Sequence, residues 1–245
     1  MAIYTGIADA NGDFAVPFSS SYTSGQKVTV TAEKDNATKS IELFAPSEVT
    51  GGGFLQFSGS LDSFPQNIGT LTLKVNGKIS NYAMQAANQQ YNIFRWATGL
   101  VLDGLITTIG NYAFSNWSAM VSLQLPETVT SIGSQAFSFC EGLESITLPA
   151  SLLNLKASAF YTLTTTKLKS LVIKGSDGVL SIEAAAFATQ ALLSIVCYRI
   201  TPPTIPSGFF SDLNSNCIIK VPAASVEAYK TNPNWSAVAA RIQAI

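Results

Sequence analysis

The sequence predicts a mainly β protein with short helical turns, built from stacked repeats of about 23 residues that follow a small N-terminal β module. Two observations support this fold class. The stretch SIGSQAFSFCEGLESITLPASL, residues 131–152, closely follows a similar stretch, TIGNYAFSNWSAMVSLQLPETV. In addition, pairs of apolar residues separated by one residue recur along the chain, and such alternation is typical of a short strand with one buried face.

Each repeat begins at an apolar residue, and the steps between the five starts are 23, 23, 27 and 23 residues. The starts are Ile109, Ile132, Leu155, Ile182 and Ile205. A phenylalanine follows the first four starts at the same offset, at Phe114, Phe137, Phe160 and Phe187. These positions predict a ladder of phenylalanine rings through the core.

The period and the L-x-L strand fall in the range of leucine-rich repeats. One such turn cannot bury its apolar edge alone, so neighbouring turns are expected to stack into a solenoid. Leu71 and Leu73 mark a worn first repeat, because ISNYAM (79–84) echoes IGNYAF (109–114). The extra residues of the longest step fall around TLTTTK and KGSDG, outside the strands, where loops tolerate insertions. We assign residues 56–221 to this leucine-rich repeat solenoid.

Residues 222–245 are expected to form a helical cap over the open C-terminal end of the stack. Ser225 can start a short helix, and Asn232 precedes a proline that ends it. Trp235, Val238 and Ile242 then recur at helical spacing.

The first 46 residues have a different pattern and predict a small β module. DFAVPF, KVTVTAEK and SIELFAP alternate with period two, and turn residues such as Asn11-Gly12 and Asp35-Asn36 separate them. Three or four strands of this size bury little apolar surface. We therefore expect residues 1–46 to serve as an attachment or oligomerisation module. A glycine-rich linker at 47–55, SEVTGGGFL, joins it to the repeats.

Composition excludes several classes of partner. Charged residues make up 12% and hydrophobic residues 47% of the chain, and its net charge is −1. Without a basic block, the chain lacks the positive surface that attracts nucleic acids or anionic membranes. It also has no run of about 18 apolar residues, so we expect no membrane insertion.

Cysteine and histidine usage argues against metal sites and several catalytic mechanisms. Cys140, Cys197 and Cys217 are odd in number and lack C-x-x-C spacing, which favours buried free thiols over a disulfide framework or a zinc site. The absence of histidine excludes Ser-His-Asp triads, Cys-His dyads and nearly all catalytic zinc arrangements. We expect neither a cofactor nor a bound metal.

The pattern I-G-x-x-A-F-x-x-C-x-x-L-x-x-I-x-L-P, almost complete between Ile132 and Pro149, resembles the BspA-like leucine-rich repeat family. TPPTI (201–205) and IKVPAASVEAYK (219–230) are similar to that family's final turns. In the first 46 residues, Asp13-Phe14, the strand at 28–31 and Lys34-Asp35-Asn36 resemble the latter half of a bacterial immunoglobulin-like domain. The resemblance implies a bacterial surface or secreted adhesin or ligand binder, and some phage tail proteins carry the same repeats.

Two surfaces are candidates for binding. The outward residues that flank the buried strand pairs form a polar, uncharged strip suited to a neutral or sugar-like ligand. This strand face comprises Ser122, Gln124, Ser145, Thr147, Ser170 and Val172. A solvated sheet face also favours small polar residues, so a purely structural role stays open. The alternative site is the loop edge, where the aromatic rings of Tyr112 and Trp117 are expected to be exposed.

Catalysis is not predicted. Glycan-cleaving enzymes use a pair of carboxylates at a fixed separation. The candidate carboxylates occupy different repeat positions, mostly in loops, and imply no such pair. They are Asp103, Glu127, Glu141, Glu144 and Asp177.

We therefore predict a phage tail fibre or receptor-binding protein that recognises a glycan or protein receptor on the bacterial host surface. The start MAIYTGIADANGDF lacks the basic and apolar regions of a secretory signal, which favours a virion tail protein. A bacterial cell-surface or secreted adhesin and a purely structural virion spacer are the alternatives. Residues 1–46 are expected to dock on other virion tail proteins or to form a homo-oligomer.

Overall fold

The computed structural model describes residues 69–74, 76–79, 81–83, 96–162, 167–176, 178–187 and 189–245, together with four strands closer to the N-terminus. In chain order the strands are β1 (Phe14–Pro17), β2 (Lys27–Lys34), β3 (Ala37–Phe44), β4 (Phe54–Phe57), β5 (Thr70–Lys74), β6 (Gly77–Ile79), β7 (Gly99–Asp103), β8 (Ile106–Ile109), β9 (Ser122–Gln124), β10 (Ser131–Ile132), β11 (Ser145–Leu148), β12 (Asn154–Leu155), β13 (Ser170–Ile173), β14 (Ser181–Ile182), β15 (Ser194–Cys197), β16 (Ile218–Val221) and β17 (Ile242–Ala244). The protein is mainly β and rich in repeats, as predicted.

Equivalent strands of successive repeats pair in three sheets. The N-terminal sheet has the order β1-β4-β5-β7-β9, and the C-terminal sheet has the order β11-β13-β15-β16-β17. The side sheet, β6-β8-β10-β12-β14, is formed by the short strands that begin each repeat. Its register is parallel and matches the sequence period, because Ile132 pairs with both Ile109 and Leu155.

The N-terminal and C-terminal sheets are not continuous with each other. Residues 121–149 are all described, and no ladder of backbone hydrogen bonds joins β9 to β11. Leu123 and Leu125 are only half-buried there, although their equivalents in other repeats are buried. Trp117, in the turn before β9, occupies the position that the smaller Cys140 has in the next repeat. The side sheet runs through the same repeats without interruption.

The predicted phenylalanine ladder forms the centre of the core. Phe114, Phe137, Phe160 and Phe187 stack in sequence, with ring centroids 5.3, 5.0 and 5.5 Å apart. All four rings are buried. Stacked aromatic rings at these separations bury a large apolar area and add a specific attraction. The ladder prediction is confirmed.

The turn before each phenylalanine of the ladder, and the equivalent turn of the preceding repeat, contains a residue in the left-handed backbone conformation. The φ angles in this column lie between 52° and 57°. The column comprises Tyr82, Tyr112, Gln135, Ser158 and Ala185. Backbone hydrogen bonds tie neighbouring turns together here, for example from the N–H of Tyr112 to the carbonyl of Ser134 at 3.0 Å. The stack thus imposes this conformation on residues that do not favour it in isolation.

A buried arginine also ties neighbouring repeats together. Arg199 donates to the carbonyl oxygens of Gly178, Ala150 and Leu152 at 2.6, 3.0 and 2.7 Å. Its backbone carbonyl accepts a hydrogen bond from the Tyr229 hydroxyl at 2.9 Å. Burial lowers the pKa of the Arg199 guanidinium. The side chain therefore supplies donors to carbonyl groups of two earlier repeats.

The C-terminal segment is helical over most of its length. A 3-10 turn at Ala223–Ser225 leads into the helix α1 (Val226–Thr231), and a second 3-10 helix covers Ser236–Arg241. The predicted helix between Ser225 and Asn232 is present, but the Ser225 side chain makes no capping hydrogen bond. The interpretation of Ile242 as a helical residue is wrong, because Ile242 begins β17, which adds to the C-terminal sheet. Its side chain is buried by that pairing.

The strands near the N-terminus partly depart from the predicted division of the chain. β2 and β3 form an antiparallel hairpin, whereas β1 pairs with β4 and thereby joins the N-terminal sheet. β4 begins at Phe54, within the stretch predicted as the linker 47–55. Of the residues that carry the immunoglobulin-like resemblance, Asp13, Asp35 and Asn36 lie outside the described part of the chain.

Candidate binding surfaces

The strand face is organised in rows by the pairing of the C-terminal sheet. Parallel register places equivalent outward residues of β11, β13 and β15 side by side. One row consists of Ser145, Ser170 and Ser194, and the next of Thr147, Val172 and Val196. The predicted alignment of the serine column is present in these three strands.

The row does not continue into β9. Ser122 and Gln124 are exposed, but they pair with Gly99 and Val101 in the N-terminal sheet. Because β9 and β11 share no ladder, Gln124 is not aligned with Thr147 by backbone pairing, contrary to the sequence prediction. The strand face therefore has two parts, separated at this break.

The chemical character of the strand face changes along the C-terminal sheet. Ser145 and Thr147 are exposed, whereas Ser170 and Val172 are half-buried. Lys220 lies beside Val196 on the next strand and is exposed. The centre of the face is therefore uncharged, with hydroxyl groups that can donate and accept hydrogen bonds next to apolar valines.

Two carboxylates near the strands are held in structural ion pairs. Glu127 accepts hydrogen bonds from Lys174 and from the backbone N–H of Ala150, the latter at 3.1 Å. The hydrogen bond from Lys174 holds the pKa of the Glu127 carboxyl below its ordinary value. Glu183 is paired with Lys156 at 2.8 Å, which likewise lowers its pKa.

These contacts connect neighbouring repeats through charged side chains. Glu127 reaches across the break between β9 and β11, because its partners lie after β11 and β13. Both ion pairs are substantially exposed, so solvent screens them. Of the other candidate carboxylates, Asp177 lies outside the described residues.

The loop edge differs from the prediction. Trp117 is fully buried and contacts Phe114 edge-on, with ring centroids 5.4 Å apart. Its expected exposure is wrong, because the indole fills the core position that Cys140 fills one repeat later. Tyr112 is half-buried, and its ring stacks on that of Tyr82, which is exposed. The aromatic partner of Tyr112 at this edge is therefore Tyr82.

The similarity between ISNYAM (79–84) and IGNYAF (109–114) predicts the contact between Tyr82 and Tyr112. The shared N-Y-A places Tyr82 at the same repeat position as Tyr112, one turn earlier. Equivalent positions of adjacent repeats lie side by side in a stack. Residue type alone favours Trp117 as the exposed aromatic residue, but its ring is buried.

The three cysteines are free and buried, as predicted. Burial raises the pKa of the Cys140 thiol to about 12, and it raises that of Cys197 and Cys217 as well. The thiols are thus protonated at neutral pH and poor nucleophiles. Within the described ranges, no three histidine, cysteine or carboxylate side chains cluster as a metal site would require. None of the helices in the described part of the chain is long and apolar enough to cross a membrane.

Parallel strands that repeat in register, a phenylalanine ladder and an outward polar strip define the class as a leucine-rich-repeat-like protein. A family model described as "BspA type leucine rich repeat region" matches six copies over residues 98–229. The chain belongs to this family.

No curated protein matches the chain. Among solved structures, it is similar to a leucine rich cell surface protein of Faecalibacterium prausnitzii, with 21% identity and a TM-score of 0.45. The similarity covers 74% of this chain and 55% of that protein, so the chain spans little more than half of the other's length.

Proposed function

We propose that this chain is a non-enzymatic recognition protein that binds a receptor on a bacterial surface through the strand face. The observation that carries the proposal is the alignment of outward-facing, uncharged side chains in fixed rows. Ser145 and Thr147 lie beside Ser170 and Val172 on backbone that is fully paired on that side. A face of this kind suits a neutral receptor, such as a glycan or an uncharged protein surface.

The packing behind these rows explains why the face can recognise a ligand. Ile146 and Leu171 alternate with the outward residues and are 2% exposed, so each strand is anchored in the core. Side chains on a rigid support lose little further conformational freedom when they bind. A stacked solenoid of such repeats would present an extended binding surface.

The biological setting we propose is a phage tail fibre or receptor-binding protein, with a bacterial adhesin as the second candidate. Both use an extended repeat surface to attach to a cell. Immunogold labelling with antibody against the chain separates them, because a tail protein labels purified virions and an adhesin labels intact producing cells.

The binding test uses the fluorescently labelled full chain and flow cytometry on candidate host cells. The double variant Gln124→Arg with Ser145→Arg places two charges on either side of the break in the strand face. We expect this variant to lose saturable binding, because the two introduced guanidinium groups would face the ligand and would have to give up their hydration when it binds. The matched control is Asn154→Arg, which adds the same side chain at an exposed strand position of the side sheet. Equal binding by the double variant and the control would refute the strand face as the site.

Residues 1–46 are proposed to dock the protein on other tail proteins or to form a homo-oligomer. Light scattering of the full chain should then show a mass above that of one chain, and removal of residues 1–46 should reduce it to one. A single-chain mass for the intact protein under all conditions would rule out the homo-oligomer.

A further inference from the structure

We propose that Tyr82 and Tyr112, with Asn81 and Asn111, form a stacking site for a neutral pyranose sugar. This site lies on the loop edge of the first two repeats, apart from the strand face. It goes beyond the proposed function, because it assigns a second surface and a ligand class of its own.

The two tyrosine rings stack face to face, and the ring of Tyr82, the more exposed of the two, provides the aromatic platform. Their centroids are 4.8 Å apart and their planes differ by 4°. Tyr82 is 55% exposed, although stacking covers one side of its ring. A pyranose presents a face of C–H groups that is apolar and nearly flat, and an exposed aromatic ring offers a surface of matching shape and opposite partial charge.

The backbone beneath the platform does not call for tyrosine. Tyr82 and Tyr112 both have φ of 56°, in the left-handed region that bulky residues avoid. Later turns fill the same column with Gln135, Ser158 and Ala185, whose φ angles are 54°, 57° and 52°. The turn therefore forms without an aromatic side chain, and two adjacent tyrosines at unfavourable positions need another explanation. Binding at the exposed ring of Tyr82, which the half-buried Tyr112 supports by stacking, supplies one.

The neighbouring asparagines add directed hydrogen-bond donors. Asn81 Oδ1 accepts the backbone N–H of Asn111, and Asn111 Oδ1 accepts that of Ser134, both at 2.8 Å. These contacts fix the orientation of each amide, since only its oxygen can accept. The Nδ2 atoms have no partner among the described residues, and both side chains are exposed. They can donate to the hydroxyl oxygens at the rim of a sugar ring that stacks on Tyr82.

A sugar fits these features better than a protein. The site is narrow and consists of the exposed Tyr82 ring, the Tyr112 ring stacked against it and two amides, whereas a stable protein interface buries about 800 Å² on each partner. Uncharged amide donors also favour a neutral ligand over an anionic one. A protein partner is therefore an outcome that the test must be able to reveal.

The test is saturation-transfer difference NMR of the full chain with three neutral oligosaccharides: cellotriose, chitotriose and N-acetyllactosamine. The variant is Tyr82→Asn with Tyr112→Asn. Asparagine is chosen because, apart from glycine, it is one of the few residues that tolerate the left-handed backbone conformation. Gln135→Asn is the matched control, because it introduces the same residue in the same left-handed column, two repeats from Tyr82. Circular dichroism melting verifies that the variants fold, and the single variants replace the double one if it does not.

We expect the wild type and the control to give difference signals from at least one sugar, strongest for the C–H protons of one ring face. The double variant should lose these signals by about tenfold or more, a loss typical of one removed stacking contact. Thr147→Arg should leave them unchanged, so failure of the strand-face proposal is distinguishable from failure of this one. Absence of signal from all three sugars, or equal signal from the double variant, overturns the proposal. Loss of cell binding by the double variant without any sugar signal also overturns it and points to a protein partner.

Discussion

The rings of Phe137 and Phe160 stack face to face, with centroids 5.0 Å apart and planes 6° from parallel. Phe137 makes a second such contact with Phe114, so its ring is enclosed by equivalent rings of the repeats on both sides. The side chain is fully buried. Since each repeat completes the core of its neighbours, damage at this position should spread through the stack.

Phe137→Ala should therefore lower the free energy of unfolding by roughly 3–5 kcal/mol, the usual cost of removing a buried phenylalanine. Backbone hydrogen bonds hold the flanking residues Phe114 and Phe160 in place, so their rings cannot easily move to fill the cavity. Urea denaturation measures the effect, with the exposed Thr147→Ala as control. An unchanged midpoint for Phe137→Ala would contradict the described ladder.

Arg199→Met should destabilise the protein by about 3 kcal/mol or more, because three carbonyl oxygens would lose a charged donor. Arg241→Met is the matched control. Arg241 is half-buried and donates to the carbonyl of Asn214 at 2.9 Å, so its loss should cost about 1 kcal/mol. Equal midpoints for the two variants in urea denaturation would show that the buried contacts of Arg199 contribute nothing specific.

Alkaline pH should destabilise the protein through its buried thiols. Burial raises the pKa of Cys140 from an ordinary value of 9.0 to about 12. Below pH 9 the thiol is protonated in both the folded and the unfolded chain, and its effect on stability is constant. Above that pH the unfolded chain loses the proton first, so the free energy of unfolding falls as pH rises towards 12.

Urea midpoints measured between about pH 8 and pH 11 test this dependence. Cys140→Ala should reduce the fall of the urea midpoint with rising pH. Part of the fall should remain, because burial also raises the pKa of Cys197 and Tyr229. An equal slope with pH in the wild type and in Cys140→Ala would contradict the assigned burial of the thiol.

The break between β9 and β11 should be visible in hydrogen exchange. Amides on the facing edges of these strands lack the ladder that protects those between β13 and β15. Mass spectrometry of peptic peptides should show faster exchange across residues 121–126 than across 170–173, because unpaired amides exchange without local unfolding. Equal protection in both peptides would mean that the two sheets form one continuous sheet in solution.

Much of the fold can be predicted from the sequence because the same short apolar pattern recurs at equal steps, although each single occurrence is weak evidence. One L-x-L pair is ambiguous, but Ile132, Ile109 and Leu155 at equal steps determine the register of the side sheet, which the structure shows. The spacing of four residues between Val238 and Ile242 is compatible with a helix, so the local pattern predicts Ile242 as helical. Its place in β17 depends on the open edge of β16, which a local pattern does not contain.

The candidate sites were less predictable because exposure depends on neighbouring repeats. Trp117 is an aromatic loop residue in sequence, yet the space beside Phe114 accommodates its indole in the core. The alignment of Thr147 with Val172 followed from the period, whereas the interruption before β11 involves packing that the period does not encode. The left-handed backbone conformation of Tyr82 likewise cannot be predicted from the residue types around it.

The most direct test of the account is the affinity of Thr147→Arg for host cells, since Thr147 is exposed at the edge of the aligned rows. If the strand face binds the receptor, the apparent Kd should rise about 30-fold or more, which is equivalent to about 2 kcal/mol, the threshold for a residue that dominates an interface. The free energy of unfolding should change by no more than about 0.5 kcal/mol, the usual range for surface substitutions. An apparent Kd equal to that of the wild type and of Asn154→Arg would contradict the central claim.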